Sequence, residues 1–240
     1  TALSDLRKLS PLCGVDSQSL YNYVYFHMIP APGSVWSGLQ KLKAGEQLEV
    51  TPTGWNTYRY WAPSFAETAR DKGQQHASLR QHLKEAVHRG QSNTGKTGAF
   101  LSGGLDSSTV AGMLSELEGG TCDAYAIGFD AEGYDEMAYA RITAKRFGIR
   151  LHEYYVTPDD VVAALPTIAA CFDEPFGNSS ALPAYFCARM AAEDGITTLL
   201  AGDGGDELFA GNERYAKQKV FELYRCLPAW LQRAVITPAI

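Results

Sequence analysis

The stretch FLSGGLDSSTVAGM, residues 100–113, decides how the rest of the chain is read. Its first residues close TGAFL, a short apolar run with the length of a strand. After Asp106 the apolar residues Val110, Met113, Leu114 and Leu117 fall at i, i+3, i+4 and i+7, one face of a helix. Between strand and helix lies SGGLDSS. Gly103 and Gly104 permit backbone conformations that turn successive N–H groups inward, an anion nest, and the following helix adds the positive end of its dipole. Ser102, Ser107 and Ser108 can donate hydroxyl hydrogen bonds to phosphate oxygens. Asp106 would be repelled by phosphate unless a divalent cation lies between them, which argues for Mg²⁺. The loop lacks the lysine that Gly-x-x-x-x-Gly-Lys-Ser/Thr aims at a transferring γ-phosphate. A loop without it suits β- and γ-phosphates held together, as a pyrophosphate leaving group.

Working outward, helix and strand patterns alternate. Upstream, Leu79, Leu83 and Val87 lie four apart on one helix face. Downstream come the strand CDAYAIGF, a helix marked by Met137, Ala140, Ala144 and Phe147 and closed by Gly148, and the strand LHEYYV. Thr157 then caps a helix with Pro158 at its first position and Asp159 and Asp160 at the positive end of its dipole. A further helix over 180–194 leads to the strand TTLLA, residues 197–201. This alternation predicts an α/β fold: an open, mostly parallel sheet with helices on both faces. Right-handed crossovers place the first three strands successively outward, and the fourth returns beside the first. The carboxyl ends of strands one and four would then flank a topological switch point, where ligands bind.

The second unusual loop, GDGGDE at 202–207, follows that fourth strand and brings Asp203, Asp206 and Glu207 within five residues. Asp106 and Asp206 could hold one Mg²⁺ from opposite sides, with waters and phosphate completing the shell. Read alone, SGG is a common turn, and GDGGDE is a solvated turn or a weak calcium loop without EF-hand spacing. A Rossmann dinucleotide site fails on Gly-x-Gly-x-x-Gly. The two loops together, at neighbouring strand ends, are far more specific.

The 240 residues are 45% hydrophobic and 20% charged, an ordinary soluble globular composition. A net charge of −6 without a basic stripe gives no footprint for nucleic acid. No apolar run is long enough to span a bilayer. Five scattered cysteines with no Cys-x-x-Cys pair argue against metal or disulfide use and for reduced thiols in a cytoplasmic protein. Residues 1–62 read as a small strand-and-loop segment: EQLEVTPTGWNTYRYW alternates toward strand, breaks at Pro52-Thr53-Gly54 and resumes. The polar stretch 63–75 reads as a linker.

LSGGLDSS, YAIGFD with YDEMAYAR, DEPFGNSSALPAYFCAR and GDGGDELFAG, in this order, resemble the asparagine synthetase family in its ATP-pyrophosphatase synthetase domain, a fold of the adenine nucleotide α-hydrolase type. YNYVYFHMIPAPGSVWSGLQKLKAGEQLEV and YRYW resemble the end of that family's amidotransferase domain and its link, which implies a boundary near residue 62. The resemblance implies an ATP-dependent ligase. It would activate a carboxylate, aspartate in the simplest case, as an acyl-adenylate with release of pyrophosphate. Ammonia or glutamine-derived nitrogen would then displace AMP to form an amide. Other members act on a β-lactam precursor or on peptides being cyclised, and a nucleotide-binding or structural remnant without turnover is the remaining alternative. Carried over by motif, Ser102, Gly103, Gly104, Asp106, Ser107 and Ser108 would hold pyrophosphate. Asp106 and Asp206 would bind Mg²⁺, and backbone near Leu101, Ile127 and Gly202 would contact adenosine. Asp203, with Asp173 and Glu174, would lie toward the acyl substrate. No partner beyond ATP, carboxylate and nitrogen donor is implied, and homo-oligomer formation is left open.

The resemblance has two departures. The family's glutaminase uses an N-terminal cysteine, whereas this sequence starts Thr1-Ala2 and Cys13 is not in the matching place. The family's later lysine near the adenylate has no counterpart that can be read here. The expectation is a truncated synthetase domain that binds Mg-ATP but, alone, completes neither amide synthesis nor glutamine hydrolysis.

Overall fold

A computed structural model describes residues 14–64, 71–130, 135–209, 211–212, 215, 217, 222 and 224–228. Cys13, residues 65–70 of the polar stretch and most of the tail beyond residue 212 lie outside the described residues. The chain divides into two compact units, Thr1–His82 with Ile127–Asp135 and Tyr154–Met190, and Leu83–Ala126 with Glu136–Glu153 and Ala191–Ile240.

In the first unit, α1 (Ser17–Phe26) starts where Asp16 Oδ1 accepts from Ser19 N–H at 2.7 Å. The strands β1 (Glu46–Thr51) and β2 (Gly54–Arg59) form an antiparallel hairpin with Thr51 opposite Gly54, so the break read at Pro52-Thr53-Gly54 is its turn. The helix α2 (Lys72–Gly90) runs from this unit into the second and begins inside the stretch read as a linker. Asp71 explains the difference: its carboxylate accepts from Gln74 N–H at 3.1 Å and starts the helix despite its polar first turn. The helices α5 (Pro158–Cys171) and α6 (Ala181–Glu193) supply a small apolar core around Val156, Ala164 and Phe186. Thr157 caps α5 as predicted: its hydroxyl accepts from Asp160 N–H, and Asp160 Oδ2 accepts from Thr157 N–H at 2.9 Å, a full capping box.

The second unit holds the sheet. Its strands are β3 (Lys96–Phe100), β4 (Asp123–Phe129), β5 (Arg150–Val156) and β6 (Ile196–Leu200), in the order β5-β4-β3-β6, with β4 and β5 running on at their carboxyl ends into residues of the first unit. β3 pairs in parallel with both β4 and β6. The returning fourth strand therefore lies beside the first, as expected from the sequence. The helices α3 (Leu105–Leu117) and α4 (Met137–Phe147) flank the sheet, and Gly148, at φ 69°, closes α4. Leu101, Ala111, Leu114, Ala124, Ala126, Met137 and Ala140 form a continuous buried core. Small side chains at Ala99, Ala111, Ala124 and Ala140, all fully buried, let the helices approach the strands closely. The acidic loop after β6 opens the short helix α7 (Gly205–Phe209), which places Asp206 and Glu207 in its first turn.

Candidate functional site

The parallel order leaves the carboxyl ends of β3 and β6 adjacent, and both glycine-rich loops leave the sheet there. The ladder ends at Leu101, whose N–H donates to Tyr125 O at 2.9 Å and whose side chain is buried in the core. Gly103 adopts φ 90°, a region that disfavours side chains, and a β-carbon there would come within 2.6 Å of Tyr139 Cβ and 2.7 Å of Ala140 N. Gly104 is the N-cap of α3 and, as glycine, makes no side-chain cap hydrogen bond. The contrast with α5 is informative. Thr157 and Asp160 satisfy one helix start from within the chain, whereas the N-cap of α3 offers no side-chain acceptor, a start compatible with an anion.

The loop hydroxyls are organised. Ser102 Oγ and Ser107 Oγ are 3.0 Å apart, Gly104 N–H donates to Ser102 Oγ at 3.3 Å, and Ser107 donates to Gly104 O at 3.2 Å. Ser108 instead bonds Thr143 Oγ1 on α4 at 3.0 Å. Asp106, half-buried in the first turn of α3, meets the second loop. A β-carbon on Gly202 would lie 2.9 Å from Asp106 Cβ and from Ser107 N, and one on Gly205 only 2.2 Å from Asp106 Oδ2. Glycine at both positions lets the acidic loop lie directly against Asp106, with Asp206 the next residue along. Asp203 is exposed in the turn between them, where Gly204 has φ 90°. Among the described residues no group of three or more His, Cys, Asp or Glu could hold a metal ion alone. Two carboxylates completed by phosphate oxygens and water fit this donor set, as Mg²⁺ sites at substrate phosphates commonly do.

The remaining sequence-derived residues lie in the first unit. Ile127 is a half-buried β4 residue packed against the Val156–Phe186 core. Asp173 and Glu174 follow α5 and line a cavity of about 640 Å³ walled by Val161, Leu165 and Phe172. Asp173 is exposed. Glu174 is engaged: Oε1 accepts from Val35 N–H at 2.7 Å, and Oε2 is ion-paired with Lys41, which also donates to Ile29 O at 2.7 Å. Lys41 escaped the reading of the sequence because nothing local marks a lysine whose carboxylate is 133 residues away. Gly205 escaped it too, although the paired glycines of GDGGDE were its signal.

A profile described as asparagine synthase matches residues 78–236, which contain both loops. The chain belongs to the asparagine synthase family. Similar relatives include asparagine synthetase [glutamine-hydrolyzing] 1 of Bacillus subtilis (strain 168), 27% identical over 223 residues, 92% of this chain and 35% of that protein. Putative asparagine synthetase [glutamine-hydrolyzing] 2 of Methanocaldococcus jannaschii is 31% identical over 221 residues, 91% of this chain and 42% of that protein. The asparagine synthase family chain described here thus spans well under half the length of these relatives. It is also 26% identical over 215 residues, 82% of its length and 32% of the other's, to a Gibberella zeae protein named amidase chry2. Among solved structures, the NH3-dependent NAD synthetase of Campylobacter jejuni superposes with a TM-score of 0.38 at 12% identity, covering 60% of this chain and 62% of that one, a likeness too distant to carry an argument.

Among the described residues no helix is long and apolar enough to cross a membrane.

Proposed function

We propose that this chain binds Mg-ATP through its two glycine-rich loops and serves ATP-dependent amide formation by carboxylate adenylation. The observation that carries the reading is the contact of Gly202 and Gly205 with Asp106, which joins the two loops into one acidic, glycine-lined cradle at the start of α3, whose N-cap is a glycine. Ser102, Gly103, Gly104, Asp106, Ser107 and Ser108 hold the β- and γ-phosphates. Asp106 and Asp206 are the residues that would hold Mg²⁺, whose charge offsets the repulsion between carboxylates and phosphates. Backbone at Leu101 and Gly202 serves adenosine. A carboxylate oxygen of the acyl substrate attacks the α-phosphorus, the α–β anhydride bond breaks and pyrophosphate leaves. A nitrogen nucleophile, ammonia in the simplest case, then attacks the acyl carbon, AMP departs, and the nitrogen sheds its proton.

The names of the two synthetase relatives favour aspartate as the carboxylate, with Asp203 on the substrate side. The name of the amidase relative keeps a different acyl substrate in play. The test is titration of Mg-ATP into the chain, together with exchange of labelled pyrophosphate into ATP by the intact protein that carries it, run with aspartate and with a panel of other carboxylates. Exchange that appears only with a carboxylate present supports adenylation, and the strongest carboxylate identifies the substrate. Failure of the chain to bind Mg-ATP at all contradicts the reading.

A further inference from the structure

The loop SGGLDSS is carried by α4 at two points. Gly103 packs so closely on Tyr139 and Ala140 that no β-carbon fits, and one turn further along Ser108 Oγ meets Thr143 Oγ1 at 3.0 Å. Thr143 is a polar residue only 9% exposed, in a helix whose other inward residues, Met137, Ala140 and Ala144, are apolar. A threonine hydroxyl placed among them, and opposite a loop serine, calls for a reason.

Each hydroxyl carries one proton, and only one proton can occupy the line between the two oxygens. If Ser108 donates to Thr143, its proton is lost to the loop. If Thr143 donates, Ser108 accepts and its own proton is free for another acceptor. An anion at the loop selects the second arrangement, since a hydrogen bond to a charged acceptor is the stronger one.

We propose that Thr143 is a positioning residue of the phosphate site, donating to Ser108 so that the Ser108 hydroxyl is held in place and its proton directed at the bound phosphate. This rests on the reading of the loop as a pyrophosphate cradle and adds to it a residue on α4. Thr143 touches no ligand and acts through Ser108. Chained hydroxyls polarise one another, so Ser108 is a better donor with Thr143 behind it than alone.

The test is calorimetric titration of the 240-residue chain with magnesium pyrophosphate and with Mg-ATP, for the unaltered chain, Thr143→Val, Thr143→Ser, Ser108→Ala and the Ser108→Ala/Thr143→Val double variant. Valine keeps the shape of threonine and removes the hydroxyl, and serine keeps the hydroxyl. Thr143→Val is expected to weaken binding by roughly two- to tenfold, as for one neutral hydrogen bond. Thr143→Ser is expected to bind within about twofold of the unaltered chain, and the double variant no more weakly than Ser108→Ala. Thermal unfolding of each variant checks that the fold is retained. Should Thr143→Val not fold, the comparison of Thr143→Ser with Thr143→Ala takes its place. Unaltered binding by Thr143→Val, or losses that add in the double variant, would overturn the inference. If the unaltered chain binds neither probe, the cradle reading itself is wrong and the inference goes with it.

Discussion

Gly205 lies against the carboxylate of Asp106, so closely that a β-carbon on Gly205 would sit 2.2 Å from Oδ2. The two residues belong to loops that leave neighbouring parallel strands, and their contact brings the glycine-rich loop and the acidic loop together. Gly205 is the first residue of α7 and does not adopt a positive φ, so alanine suits its backbone. Gly205→Ala is therefore expected to leave the fold intact while displacing the Asp106 carboxylate, the flexible partner in the collision. Mg-ATP affinity should fall by more than about tenfold with the melting temperature unchanged or raised, because alanine is the better helix former. Gly202→Ala is expected to behave differently, since its β-carbon would meet the backbone of Asp106 and Ser107 at 2.8 and 2.9 Å and neither can turn away. It should lose stability as well as binding. Titration and thermal melts of both variants check this.

In the first unit, Lys41 and Glu174 form an ion pair with side chains only 28% and 14% exposed. Removing the lysine leaves a largely desolvated carboxylate with Val35 N–H as its remaining described partner. Lys41→Met should destabilise by about 1–3 kcal/mol, the usual cost of orphaning a buried acceptor. Lys41→Met/Glu174→Gln should recover part of that loss, because the uncompensated charge has gone. Denaturant unfolding of the single and double variants measures both values, and equal stability of Lys41→Met and the unaltered protein would contradict the account.

The capping box of α5 gives a pH dependence with a definite sign. The hydroxyl and then the N–H of Thr157 hold the Asp160 carboxyl below its ordinary value of 3.8. A depressed folded-state value means the contribution is complete above the unfolded value and is lost as pH falls through the folded one. The stability difference between the unaltered protein and Asp160→Asn should thus be constant above about pH 5 and shrink below about 3.8. Thr157→Ala should cost about 1 kcal/mol at neutral pH. Thermal melts from pH 2 to 7 check both, and a difference that grows on acidification would reverse the sign.

Most of the α/β alternation was legible because each element carried its own local signal. Met137 to Phe147 showed helical spacing with Gly148 behind it, and that helix begins and ends where read; Thr157-Pro158 announced the start of α5, which lies where read. The strand order followed from right-handed crossovers for the first three strands and from the long two-helix excursion that precedes the fourth. What was missed is non-local or polar. The first turn of α2 has no apolar stripe, and its start rests on one Asp71 hydrogen bond inside a stretch that reads as a linker. In the two loops, the glycines and carboxylates at neighbouring strand ends drew attention to Asp106 and the acidic loop, because the two stretches together are more specific than either turn alone. The roles of Gly205, Thr143 and Lys41 depend on what lies opposite them in space, at Asp106, Ser108 and Glu174, and no spacing in the chain encodes those partners.

The central claim is that Asp106 and Asp206 share a cation that bridges the protein to the phosphates. The most direct measurement is titration of ATP, at zero and saturating Mg²⁺, into the unaltered chain, Asp106→Asn, Asp206→Asn and Ser107→Ala. Ser107→Ala removes one neutral hydroxyl and should weaken binding by only about two- to tenfold, with the strengthening by Mg²⁺ retained. Each aspartate variant should lose more than that, and with it the dependence of ATP affinity on Mg²⁺. Losses in the aspartate variants no larger than that of Ser107→Ala, with the Mg²⁺ dependence intact, would contradict a cation held between these two residues.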